Sequence, residues 1–266
     1  MAQTYNLLKI QKKVRKELDD ERYRHTLGVM YMSAALAMRY REDIVKAQVA
    51  GLLHDCAKCI PNDKKLKMCA RYGIEISEVE KKAPSLVHSK LGAWIAEHEY
   101  GIEDEDILQA IRWHTTGRPG MSMLEKIVFI ADYIEPMRYK AANLDNIRTL
   151  AFININSAIQ TTLEDTLTYL KNCGGSIDEM TARACAYYTK LAESEDDDDE
   201  DEVEWALVME RLLKEQSADE KPVEEKSEGD GISEEGESDR NGKSEGEAGA
   251  GDEGPVGKDP TGVEEA

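Results

Sequence analysis

The sequence lacks any apolar run long enough to cross a membrane. No segment of its 266 residues approaches ~18 consecutive apolar side chains. The N-terminal "MAQTYNLLKIQKKVRKELDD" carries charge throughout, so no secretory signal is expected. Thiols are few. Cys56, Cys59, Cys69, Cys173 and Cys185 make an odd count without a signal, which reads as free thiols in a reducing cytoplasm. Cys56-x-x-Cys59 has no second C-x-x-C pair for a zinc cage and no βαβ pattern for a redox motif. It is therefore read as packing or a helix-end filler. Period-2 alternation is missing as well, which excludes a strand-based core and leaves an all-α fold.

A basic excess is also absent. The chain has a formal charge of −20, from 54 acidic and 34 basic residues. Of these, 29 and 7 lie from Glu193 onward, which leaves 25 and 27 in the part before it. The acidity belongs to the tail. The rest is near neutral, so direct nucleic-acid binding is not expected. Residues 1–191 suffice for one good core. From "ESEDDDDEDE" onward, Gly, Glu, Ser and Asp dominate, and residues 192–266 read as a disordered acidic tail. Within it, "VEWALVMERLL" places Trp205, Val208, Met209 and Leu212 at helical spacing, a candidate short helix over 203–214.

Helical punctuation is plentiful in residues 1–191. "SEVE" (Ser77, Glu80), "SMLE" (Ser122, Glu125) and "SIDE" (Ser176, Glu179) fit capping boxes. Gly73, Gly101 and Gly174 fit helix ends. The pattern predicts about eight to ten helices with short connections. A long one from Asn143 to Leu170 and a last one from Ser176 to Leu191 close the bundle.

Only five histidines are present, and four interrupt apolar helix faces. His25 shares an inward stripe with Arg22, Gly28, Val29 and Met32. His54 shares one with Ala47, Ala50 and Gly51, and Asp55 follows it. A carboxylate there needs a positive partner, either a divalent metal or Lys58 at i+3. His88 is in register with Leu91, Gly92 and Ile95, and His114 ends "ILQAIRWH". Asp132 breaks "LEKIVFIADYI". His98, between two glutamates, reads as a surface residue. Ligands scattered as H…HD…H…H…D are what a metal site built from several helices requires. Imidazole and carboxylate suit iron, manganese, zinc or nickel, and the lack of thiolates argues against a structural zinc cage.

The stretches "RYRHTLGV", "AGLLHDCAK", "VHSKLGAWIA", "IRWHTTGRPGMS" and "IVFIADYIEPMR" resemble the HD-domain phosphohydrolase superfamily. More closely, they resemble its bacterial YqeK-like symmetrical diadenosine-tetraphosphate hydrolases. The resemblance spans residues 5–190 and leaves out the tail. It implies an HD-domain helical bundle with two divalent ions, iron in the first instance. One would be held by His25, His54, Asp55 and Asp132, and the other by His88 and His114, with Asp55 bridging. It also implies symmetrical hydrolysis of a dinucleoside polyphosphate, diadenosine tetraphosphate, to two ADP.

Phosphate oxygens need cationic and N–H donors. Lys58, expected with Asp55 to act in catalysis, lies one turn past His54. Thr115, Thr116, Gly117 and Arg118 follow His114; Arg138 comes two turns after Asp132, and Arg22 one turn before His25. Lys58, Thr116, Arg118 and Arg138 lead this set. Glu135 shares a face with Asp132 and is a candidate to orient a ligand. Two alternatives stay open: the same site acting on a deoxynucleoside triphosphate, a guanosine alarmone or a cyclic dinucleotide; and an interaction protein whose tail binds a basic protein partner. The assembly is open to a homodimer.

Overall fold

The computed structural model describes residues 4–195, with side chains to residue 192. The candidate helix at 203–214 and the rest of the acidic tail lie outside that range. The described residues form helices joined by turns and short loops, with no strand among them. The chain order is α1 (Leu7–Glu17), α2 (Asp20–Tyr40), α3 (Ile44–Leu53), α4 (Asn62–Tyr72), α5 (Glu78–Lys82), a 3₁₀ turn (Pro84–Val87), α6 (His88–Tyr100), α7 (Glu105–Trp113), α8 (Met123–Ile134), α9 (Leu144–Ile153), α10 (Ile155–Cys173) and α11 (Glu179–Glu195).

The eleven α-helices among the described residues exceed the expected eight to ten. The excess comes from the five-residue α5 and from a break inside the supposed 143–170 helix. Asn154 is extended there, at φ −136°, and its side chain accepts from the N–H groups of Asn156 and Ser157. It ends α9 and caps α10 in one residue. The boxes at Ser77/Glu80 and Ser122/Glu125 form as expected. The third does not. Asp178 accepts from the Met180 N–H instead, and α11 starts at Glu179. Gly73, Gly101 and Gly174 adopt the left-handed conformation that ends their helices.

The core forms where α2, α3, α7 and α8 meet. Val29 and Leu36 of α2, Val49 and Leu52 of α3, Ile107 and Ile111 of α7, and Ile127 and Ile130 of α8 are all fully buried. Burying each such side chain contributes roughly 1.5–3 kcal/mol. Gly51 lets α3 approach α2 closely. A Cβ there would lie 2.9 Å from Ser33 Oγ and 3.0 Å from Met30 Cα, so alanine would force the helices apart. That close approach brings the end of α3 against the first half of α2, where His25 sits. No helix among the described residues is long and apolar enough to cross a membrane.

Candidate metal centre

The six expected ligands converge from five helices. His25 is in the second turn of α2 and Asp132 in the last turn of α8. His88 is the first residue of α6, while His54 and His114 directly follow α3 and α7. Ligand atoms of His25, His54 and Asp55, of His54, His114 and Asp132, and of Asp55, His88 and His114 each gather within 4.8 Å. His98 is exposed, stacked on Trp94 with ring centroids 4.1 Å apart.

Backbone carbonyls orient three of the imidazoles. His54 Nδ1 donates to the Gly51 carbonyl at 2.7 Å, His88 to Ser85 at 2.5 Å and His114 to Ile111 at 2.7 Å. Each acceptor lies three residues back. A carbonyl only accepts, so Nδ1 carries the proton and the neutral ring presents the Nε2 lone pair. His25 reaches the same orientation differently. Its Nδ1 lies 3.2 Å from Glu135 Oε1, 110 residues away.

The two oxygens of Asp55 face different histidines. Oδ2 is 3.4 Å from His54 Nε2 and 3.8 Å from His25 Nε2. Oδ1 is 3.1 Å from His88 Nε2 and 3.6 Å from His114 Nε2. Asp132 Oδ1 lies 3.1 Å from His25 Nε2 and 3.9 Å from His54 Nε2. Meanwhile His88 and His114 point their Nε2 atoms at each other across 3.1 Å. Facing lone pairs beside two carboxylates repel unless a cation lies among them. His54 Nε2 and Asp55 Oδ1 are also buried without a hydrogen-bond partner. This donor set fits a divalent metal ion.

Two of the imidazoles are held neutral, and His25 is the exception. Burial lowers the His54 pKa, and burial with the nearby Lys58 charge lowers that of His88 to about 3, so both stay neutral. Burial alone would raise the Asp55 pKa, but His54 and Lys58 hold it well below the carboxylate range. Burial opposes the charge of Asp132 too, and the His25 hydrogen bond and Arg138 outweigh it. Burial pulls His25 down, while its bonds to Asp132 and Glu135 push it up to about 9.

The cationic residues divide. Arg22 donates to Asp55 Oδ2 at 3.0 Å and Arg138 to Asp132 Oδ1 at 3.0 Å, so both border the centre. Lys58 does not continue α3 as the spacing implied. The helix ends at Leu53, and Lys58 N–H bonds the Asp55 carbonyl in a tighter turn. Thr115 Oγ1 stands 3.2 Å from His88 Nε2 and 3.1 Å from His114 Nε2. Thr116 and Arg118, ranked above it from sequence, are engaged inside their loop. Thr116 Oγ1 donates to the Gly117 carbonyl at 3.0 Å, and Arg118 forms a two-point bond with Glu125 at 2.7 Å. Glu125 is the capping-box residue of α8, so Arg118 braces the loop onto that helix. Gly117 has φ +63°, where a side chain would be strained. Cys56 packs against the Gly92 carbonyl and Cys59 is exposed, and both are free thiols.

Residues 22–137 match the HD domain family. All six candidate ligands fall in that range. Over 157 residues the chain is 40% identical to the symmetrical bis(5'-nucleosyl)-tetraphosphatase of Bacillus subtilis, covering 59% of this chain and 83% of the relative. It is 43% identical to the enzyme of that name in Halalkalibacterium halodurans, with the same coverage. The chain belongs to the symmetrical bis(5'-nucleosyl)-tetraphosphatase family. A solved HD superfamily hydrolase from Clostridium acetobutylicum, described as involved in NAD metabolism, is 39% identical with a TM-score of 0.68. The match covers 71% of this chain and all of that one.

Within this HD-domain phosphohydrolase, two supports of the centre carried weak sequence signals. Glu135 is buried, with Oε1 on His25 and Oε2 accepting from Met137 N–H at 2.7 Å. Gly28 makes room for it, since a Cβ there would lie 2.4 Å from Glu135 Oε2. Arg148 then ties the turn together through the carbonyls of Ile134, Glu135 and Arg138 at 3.1, 3.2 and 2.8 Å. The shared face with Asp132 marked Glu135 in the sequence, but nothing there pointed to Gly28 or Arg148 as its supports.

Proposed function

We propose that the protein hydrolyses diadenosine 5',5'''-P1,P4-tetraphosphate at its central bridge, releasing two ADP. Membership of the symmetrical tetraphosphatase family supplies the reaction. The observation that carries the chemistry is the split of Asp55, with one oxygen toward His25 and His54 and the other toward His88 and His114. A carboxylate presented this way suits two divalent ions. Iron is the first choice, and manganese, zinc or nickel could use the same donors. When bound, such ions activate water and polarise a phosphoryl oxygen.

The chain's own residues do the rest. Carbonyl bonds at Nδ1 hold His54, His88 and His114 in one tautomer, and Glu135 orients the His25 ring, so little reorganisation precedes binding. Asp55 and Asp132 supply the negative charge that draws cations in. Lys58, Arg22 and Arg138 border the same space and meet the charge that grows on phosphoryl oxygens. The Thr115 hydroxyl adds a donor beside His88 and His114. Residues 1–191 are read as the catalytic unit and 192–266 as a tail outside catalysis that binds a basic protein partner. The free thiols fit a cytoplasmic setting.

The test is product analysis on the purified full chain with each metal added in turn. Two ADP from diadenosine tetraphosphate is expected, against ATP plus AMP for asymmetric cleavage. Faster turnover of a deoxynucleoside triphosphate, a guanosine alarmone or a cyclic dinucleotide would replace this substrate with that one.

A further inference from the structure

A cleft beside Arg138 plays no part in holding the metal. It lies between the 136–143 turn and the first turn of α9, and has a volume of about 680 Å³. Arg138, Tyr139, Asn143, Asn146 and Arg148 are among its lining residues. Small-molecule sites usually measure about 300–1,000 Å³.

Three features point to a nucleotide. Arg138 joins the cleft to the centre: one of its NH2 groups donates to Asp132 Oδ1 at 3.0 Å, while its Nε is buried without an acceptor. The ten-residue α9 begins there with no side-chain cap. Asn143 sits at φ +52°, and its amide donates to both oxygens of Asp165 at 3.0 Å. The first N–H groups of α9 therefore have no side-chain acceptor, and such a helix start attracts an anion. The acid in that turn, Asp145, is paired with Arg148 at 3.5 Å. Finally, Tyr139 is 80% exposed and its neighbour Met137 56% exposed. Lys140 Nζ lies over the Tyr139 ring at 5.7 Å from its centroid, and the exposed ring offers its other face to a stacking partner.

Central-bridge cleavage places two phosphates between the reacting bond and each ribose. Each base must then be held outside the histidine cluster. Building on the hydrolase reading above, we propose that this cleft receives one ADP arm of the substrate. Its phosphates lie between Arg138 and the start of α9, and its adenine stacks on Tyr139.

The experiment compares full-length wild type, Tyr139→Ala and Tyr139→Phe, with exposed Tyr31→Ala as the control. ADP is titrated calorimetrically into each metal-loaded protein, and steady-state kinetics are run on diadenosine tetraphosphate. Tyr139→Ala is expected to weaken ADP binding and raise KM about tenfold, with kcat little changed. Tyr139→Phe and Tyr31→Ala should behave as wild type, and inhibition by inorganic tetraphosphate should be equal in all four. Unchanged ADP affinity in Tyr139→Ala, or no ADP binding by wild type, would overturn the cleft assignment. Cleavage to ATP and AMP would overturn the proposed reaction instead, while the ADP titration would still report on the cleft.

Discussion

Asp55 touches both halves of the centre, so the smallest change there is the most informative. Asp55→Asn keeps the volume, removes one charge and turns one oxygen into an N–H donor. Turnover is expected to fall by at least about 10²–10³-fold, with bound metal, read by elemental analysis, falling alongside it. Full metal content and full activity in this variant would refute the mechanism. Glu135 acts through His25. Glu135→Gln removes the charge behind the imidazole and should weaken metal binding about 10–100-fold. Gly28→Ala should do the same without touching a polar atom, because its Cβ would displace Glu135 Oε2 from 2.4 Å away. Competition with a colorimetric chelator measures both, and wild-type affinity in both variants would rule out this support.

Among the elements, the junction of α9 and α10 is the clearest case of one residue setting direction. Asn154 caps α10 with two bonds, from Asn156 N–H at 2.9 Å and Ser157 N–H at 3.2 Å. Apolar residues on either side continue a helical period, so periodicity alone reads through it. Only the capping preference of Asn in "INI" opposes that reading. Asn154→Ala is expected to cost about 1 kcal/mol. Thermal unfolding should then shift down by about 2–4 °C, with kcat unchanged. A larger loss accompanied by loss of activity would mean that this junction also positions the centre.

For the whole molecule, charge is partitioned. The tail carries −22 (29 acidic, 7 basic) against +2 for the rest (25 acidic, 27 basic), yet the substrate is itself a polyanion. At physiological salt the screening length is about 8 Å, so a tail that stays clear of the centre repels the substrate weakly. Ending the chain at Glu195 should leave kcat unchanged, with any effect on KM confined to low salt. Abolished turnover would move the domain boundary. Removing metal with a chelator should abolish hydrolysis and lower the unfolding temperature, because a bound ion stabilises only the folded state. Adding iron or manganese back should restore both.

What the sequence alone determined is what short-range physics controls. Helical class, two of three capping boxes and the glycine helix ends follow from interactions within four residues along the chain. The six candidate ligands stood out for a related reason. A histidine or carboxylate on an apolar helix face is expensive, and that cost shows without knowing the neighbours. Tertiary structure decided whatever joins residues far apart. Whether Glu135 is an ordinary helix end or the support of His25 depends on a contact across 110 residues and on the space left by Gly28. Arg118 looked available because Glu125, its partner, reads as a capping residue and serves both roles. The two-sided use of Asp55 exists only once five helices have packed, since no local rule fixes which oxygen faces which histidine.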